Sequence, residues 1–182
     1  MKYIVLLSLA LTILSCGVKV PYTTQIRDEF GLDTEEKMGK VQFFVSGTIY
    51  LDEEKRNDNQ NTTQNGTLIS STSSSKESVI IPINTRCVFD GFGTKGELLV
   101  RFETGEEKVI PFATKEGGAS TGKRFYFSPE TTNSGSFVKY GSSRYKVRTN
   151  VTSDPRNVHL LVVKRRLDRS KRKERVVKGM KV

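Results

Sequence analysis

The second half of the chain is a series of short apolar segments cut by turn residues, and nothing else in the sequence narrows the fold as much. From Val79 onward the segments 79–83 (Val-Ile-Ile-Pro-Ile), 86–90, 97–103 (Glu-Leu-Leu-Val-Arg-Phe-Glu), 108–113, 124–128 (Arg-Phe-Tyr-Phe-Ser), 136–140, 144–148 and 158–164 follow one another with Gly, Asn or Asp between them. A spacing of roughly 8–12 residues with turn chemistry in the gaps is the pattern of an all-β domain. Upstream, Val41, Phe43 and Val45 repeat with period two, and after Ser46-Gly47 the segment Thr48-Ile49-Tyr50-Leu51 resumes, so a strand bulged at Gly47 is expected. With 182 residues, 35% hydrophobic content and no Trp, the chain has material for one modest core. Two Cys and one His exclude four-ligand zinc cages and disulfide frameworks.

The fold class read from this pattern is all-β: a small antiparallel meander, closed or half-closed into a barrel, which removes free strand edges. The run from Ile81-Pro82 through Leu99-Val100-Arg101-Phe102 to Val109-Ile110-Pro111-Phe112 resembles the meander of SH3-like barrels, a likeness of fold that implies no function. Residues 52–78 hold only two large aliphatics, Leu68 and Ile69, and read as a solvated loop interrupting the domain at 41–163. Within it, Asn65-Gly66 could turn a ragged hairpin that pairs Leu68-Ile69 with 48–51. Ahead of the domain, residues 16–40 read as a tether with one short helical turn, started by Asp33 with Glu36 three residues on and stopped at Gly39.

Met1-Lys2 is followed by an apolar run from Tyr3 to Leu14, relieved only by Ser8 and Thr12. A membrane-crossing helix needs ~20 such residues, and Lys19 and Pro21 follow at once, so residues 1–15 read as a signal peptide. The segment Ile13-Leu14-Ser15-Cys16-Gly17 resembles the lipobox of bacterial lipoproteins, with a branched aliphatic at −3, a small residue at −1 and then the thiol. That resemblance, confined to residues 1–17, implies that Cys16 receives a diacylglycerol, becomes the first residue after cleavage, and often carries a further acyl chain. The Asn-, Thr-, Ser- and Lys-rich composition looks like that of Bacteroidota lipoproteins. In those, surface export is associated with acidic residues after the Cys, whereas Gly17-Val18-Lys19-Val20 stands here, so the resemblance implies an outer-membrane anchor facing the periplasm.

Several motifs carry chemistry elsewhere. Gly91-Phe92-Gly93-Thr94-Lys95-Gly96 fits G-x-G-x-x-G, but Glu97-Leu98-Leu99-Val100 continues as a strand where a dinucleotide fold needs a helix. Gly117-Gly118-Ala119-Ser120-Thr121-Gly122-Lys123 approaches a phosphate loop, yet Arg124 replaces the Mg²⁺-binding hydroxyl and a strand follows again. Cys87 and His159 form the one nameable nucleophile–base pair, each inside an apolar segment, and both read as structural. Asp52, Glu53 and Glu54, with Glu106 and Glu107, are adjacent loop carboxylates, unlike a pair held across a cleft. Among Phe125, Tyr126, Phe127, Phe137, Tyr140 and Tyr145, spaced as sheet positions, most read as core. Asn61, Asn65 and Asn150 begin chance glycosylation sequons.

The net charge of +10 is unevenly placed. Residues 164–182 hold ten basic side chains, Lys164, Arg165, Arg166, Arg169, Lys171, Arg172, Lys173, Arg175, Lys178 and Lys181, against Asp168 and Glu174. That is +8, and once Lys2 is set aside residues 16–163 carry +1. A run of this density reads as a solvated, poorly ordered arm. Behind an export leader its anions are lipid head groups, lipopolysaccharide or an acidic partner, ahead of nucleic acid. The expectation is a lipid-anchored envelope protein with a binding or scaffolding role, with no catalytic residues, no metal, and no cofactor beyond the lipid on Cys16. An envelope enzyme acting on cell-wall or surface polymer is the alternative, and a nucleic-acid-binding protein with a misread leader comes third.

Overall fold

A computed structural model describes residues 17–54, 77–115, 122–149 and 154–171. Among them are twelve strands in two antiparallel sheets. The strands are β1 (Lys19–Pro21), β2 (Gln42–Val45), β3 (Ile49–Glu53), β4 (Ser78–Ile81), β5 (Arg86–Phe92), β6 (Leu98–Arg101), β7 (Val109–Thr114), β8 (Phe125–Phe127), β9 (Glu130–Thr132), β10 (Gly135–Tyr140), β11 (Ser143–Val147) and β12 (Leu160–Val163). Three α-helices accompany them, α1 (Thr24–Phe30), α2 (Glu35–Met38) and α3 (Lys164–Lys171), with a 3-10 turn at Pro155–Asn157. The all-β class and the meander β5-β6-β7-β8 are as the sequence spacing implies. Each expected segment from 79 onward is a strand within a few residues of its expected bounds.

The larger sheet runs β1-β12-β2-β5-β6-β7-β8 and the smaller β4-β3-β11-β10-β9. Alternation decides which side chains turn inward: Cys87 and Phe89 on β5, Leu98 and Val100 on β6, Ile110 and Phe112 on β7, Ile49 and Leu51 on β3, and Tyr145 and Val147 on β11 are all buried. These residues of both sheets join one continuous apolar cluster. The larger sheet curls until its β8 end meets the start of β12, through an isolated bridge between Tyr126 and His159 and a hydrogen bond from Phe127 N–H to the Val158 carbonyl at 2.8 Å. The meeting is through bridges and not a full ladder, so the sheet stops short of a closed barrel, and the smaller sheet packs with it around the shared core.

Three expectations are corrected. The break at Ser46-Gly47 is no bulge: the chain leaves the larger sheet there and enters the smaller one at β3. Gly47 lies so close to Val158 that a Cβ would meet its Cγ2 at 3.0 Å. The bulge lies in β5 instead, between Phe89 and Gly91, where Arg101 pairs with Asp90 at 2.7 Å. The strand at 49–53 pairs with β4 on one side, Leu51 opposite Val79, and with β11 on the other, so no edge is left for Leu68-Ile69. Residues 55–76, including that Asn65-Gly66 turn, lie outside the described residues.

The tether is the third. From Lys19 the segment expected to lead away from the domain belongs to it: β1 pairs with β12, Lys19 opposite Val163, and Tyr22 is fully buried. Tyr22 stacks on Phe125 at 5.2 Å, meets Phe43 edge-on at 5.0 Å, and donates its hydroxyl proton to Met38 Sδ at 3.3 Å. Helix α1 is capped by the Thr23 hydroxyl, which accepts from Ile26 N–H at 3.2 Å. The helical turn α2 starts one residue later than expected, on Thr34. Asp33 instead forms an ion pair with Lys37 at 2.8 Å, which holds its carboxyl below the usual range. Gly39 does end the turn.

Candidate functional site

The basic segment is where structure adds most to the sequence. Its first eight residues are no disordered arm: they form α3, which continues directly from β12. Leu167 points into the core cluster at 6% exposure and fixes which way the helix faces. Lys164 is tied down by Glu29 of α1 at 3.2 Å, with the Phe30 ring 5.9 Å from its ammonium. Arg165 and Arg166 are exposed and have no ion-pair partner among the described residues. Position 169 lies one turn beyond 165 on the same face, and Lys171 ends the helix. Arg172, Lys173, Arg175, Lys178 and Lys181 lie outside the described residues, as does Cys16.

What the sequence could not reveal is the neighbour of this helix. Because β1 is antiparallel to β12, the residues that open β1 stand beside those that close β12. Gly17 is packed so tightly against Val163 that a Cβ there would collide with Val163 Cγ1, a contact only glycine permits. Lys19 is opposite Val163, its ammonium 3.0 Å from Asn84 Oδ1 and 4.2 Å from the centre of the Phe44 ring. Val18 between them is 79% exposed. The two ends of the described chain, Gly17 at one and α3 at the other, thus share one corner of the larger sheet.

The nucleophile–base pair is not assembled. Cys87 lies opposite Phe43, which in turn lies opposite Val162, so His159 is three residues further along β12 and two strands away. At ~3.3 Å per residue and ~4.8 Å per strand that separates them by over 10 Å. Burial pushes the Cys87 thiol up to about 12, the opposite of what a thiolate nucleophile requires. His159 is occupied locally. Its Nδ1 is 3.1 Å from the Asn157 carbonyl, within hydrogen-bond reach. The Ser46 hydroxyl, 3.0 Å from that same nitrogen, accepts the His159 backbone N–H at 2.9 Å. Desolvation, with Arg124 adding to it, lowers the His159 pKa against the opposing pull of the Asn157 carbonyl. The cluster joins β2, β8 and β12, with the Tyr126 ring 5.7 Å from the imidazole and Lys115 4.2 Å above Tyr126.

The remaining motifs resolve as loops and ion pairs. Gly93 to Gly96 is the turn of the β5-β6 hairpin, closed by Gly93 N–H to the Glu97 carbonyl at 2.8 Å. Residues 116–121 of the second glycine-rich segment lie outside the described residues, and so do Asn61, Asn65 and Asn150. Asp52 pairs with Arg148, Glu54 with Arg144 at 3.4 Å, and Glu107 with Lys139 at 2.7 Å, so these carboxylates are separately neutralised. No group of His, Cys, Asp or Glu among the described residues could hold a metal ion. Compared with protein-family models, with curated proteins and with solved structures, the chain matches none of them.

Proposed function

We propose that this chain is a lipid-anchored cell-envelope protein with a non-catalytic binding or scaffolding role, held in the outer membrane and facing the periplasm. The observation that carries the reading is the segment Ile13-Leu14-Ser15-Cys16, placed after a charged start and an apolar run too short to cross a bilayer. On this reading Cys16 bears a diacylglycerol and an acyl chain, and each buried methylene adds ~0.8 kcal/mol of membrane affinity. One acyl chain binds marginally and two or three hold a protein almost permanently. The basic residues of 164–182 then meet anionic lipid, lipopolysaccharide or an acidic partner, while nucleic acid is remote from them. The mutual remoteness of Cys87 and His159 weakens the enzyme alternative in the form the sequence suggested.

The test is metabolic labelling with radioactive palmitate in a bacterial host that processes lipoproteins. The wild-type chain should take up label and partition into membranes, and Cys16→Ala should do neither. Label that persists in Cys16→Ala would refute the assignment of the anchor.

A further inference from the structure

We propose that the corner formed by Gly17–Lys19 and the outer face of α3 lies directly against the bilayer, with Arg165 and Arg166 binding anionic phospholipid head groups. The inference rests on the lipidation of Cys16 proposed above, and the structure is what turns an anchor and a basic tail into one surface. Gly17 is bonded to Cys16, and Lys19 is already hydrogen-bonded into the larger sheet. Three residue steps span at most ~11 Å, so an anchor on Cys16 leaves no spacer between membrane and domain. That distance is comparable to the ~8 Å over which physiological salt screens charge. Charge on this corner therefore lies within about one and a half screening lengths of the head groups, close enough to act on them though attenuated by salt.

The charge there is mainly basic, with Asp168 the one acidic residue of α3 beside Arg165 and Arg166. Lys164 is spent on Glu29, whereas Arg165 and Arg166 are exposed with no ion-pair partner among the described residues. Leu167 in the core keeps that face of the helix outward. An arginine fork matches the geminal oxygens of a phosphodiester. Val18, an exposed aliphatic between anchor and sheet, fits an interface with lipid better than one with water. A periplasm-facing anchor places the corner on a phospholipid leaflet, so phospholipid phosphate is the ligand of choice over lipopolysaccharide. Acyl chains plus a basic patch form a two-signal attachment in which the patch sets the orientation of the domain.

The test uses the full-length processed protein, purified from membranes and reconstituted into vesicles of phosphatidylethanolamine with a minority of phosphatidylglycerol. A benzophenone side chain replaces exposed Asp168 on α3, or exposed Thr131 on β9 of the smaller sheet as control. Position 168 should yield lipid adducts enriched in phosphatidylglycerol over its share of the vesicle, and position 131 none. Enrichment should fall about fivefold with each of Arg165→Gln and Arg166→Gln. Palmitate-labelled protein that gives no lipid adduct at 168, or unenriched ones, overturns the membrane-facing corner and leaves the anchor standing. Cross-linking of position 168 to a protein in intact cells would overturn it in favour of an acidic partner. Protein that never acquires label removes the anchor and this inference together.

Discussion

At the residue scale, burial and local pairing decide what each titratable group can do. The Cys87 thiol is carried into the core by strand alternation between exposed Arg86 and Val88, and desolvation raises its pKa from 9.0 to about 12. Below pH 9 the folded and unfolded chains both hold the proton, and the thiol adds no pH dependence. Between 9 and about 12 only the unfolded chain ionises. Unfolding then releases a proton, and this one group lowers stability by about 1.4 kcal/mol per pH unit. Urea unfolding of the wild type and Cys87→Ala should therefore show their stability difference moving in favour of the variant by about 2–3 kcal/mol from pH 8 to pH 11. A difference that does not change with pH would show that the thiol is not desolvated. The buried Tyr22 hydroxyl is also shifted upward by burial, but it is present in both proteins and cancels in the comparison. That Cys87 and His159 each lie in an apolar, strand-forming segment was legible in the sequence. The partners of His159 were not, since Ser46 and Asn157 reach it only through the pairing of β12 with β2 and the turn before β12.

At the element scale, what could be read from the sequence followed periodicity, and what could not followed long-range pairing. Strands such as β6 and β7 announce themselves by alternation and by glycine turns on either side. In contrast, Lys19-Val20-Pro21 has no pattern of its own; it is a strand because β12, more than 140 residues away, offers an edge. Helix α1 has only its two caps as local signals, Thr23 at the start and left-handed Gly31 at the end, and its place depends on Tyr22 being buried. In α3 charge masked a single informative residue. Leu167, set among charged residues, joins the buried core cluster. Leu167→Ala should lower unfolding free energy by about 2–5 kcal/mol, the usual range for removing a buried leucine, while Arg165→Ala should stay within about 0.5 kcal/mol. Equal, negligible effects in denaturant titrations would mean that α3 detaches from the body. Deleting 164–182 should by the same reasoning lower stability, because it removes a core residue as well as charge.

At the scale of the whole molecule, the order of strands makes the two sheets inseparable. The chain passes from the larger sheet to the smaller between β2 and β3, returns between β4 and β5, leaves again between β8 and β9, and comes back between β11 and β12. Neither sheet is a continuous stretch of sequence, and β12 lies between β1 and β2, so the larger sheet is complete only when both ends of the domain are in place. Inward side chains of both layers meet in one cluster, from Ile110 and Phe112 of the larger sheet to Ile49 and Tyr145 of the smaller. A core shared in this way should open as one unit. Ile110→Ala, at a site with no solvent exposure, should cost about 2–5 kcal/mol. Hydrogen exchange should register that loss equally at amides of β6-β7 and of β10-β11, and Ile49→Ala in the smaller sheet should lower protection in both places as well. Protection lost only in the sheet that carries the substitution would show two folding units. An orientation imposed at the corner of Gly17 and α3 would then no longer fix where the smaller sheet points. If the loss is shared, the corner, the core and the far sheet move as one body, and a membrane contact at Arg165 and Arg166 sets the direction in which the rest of the domain faces.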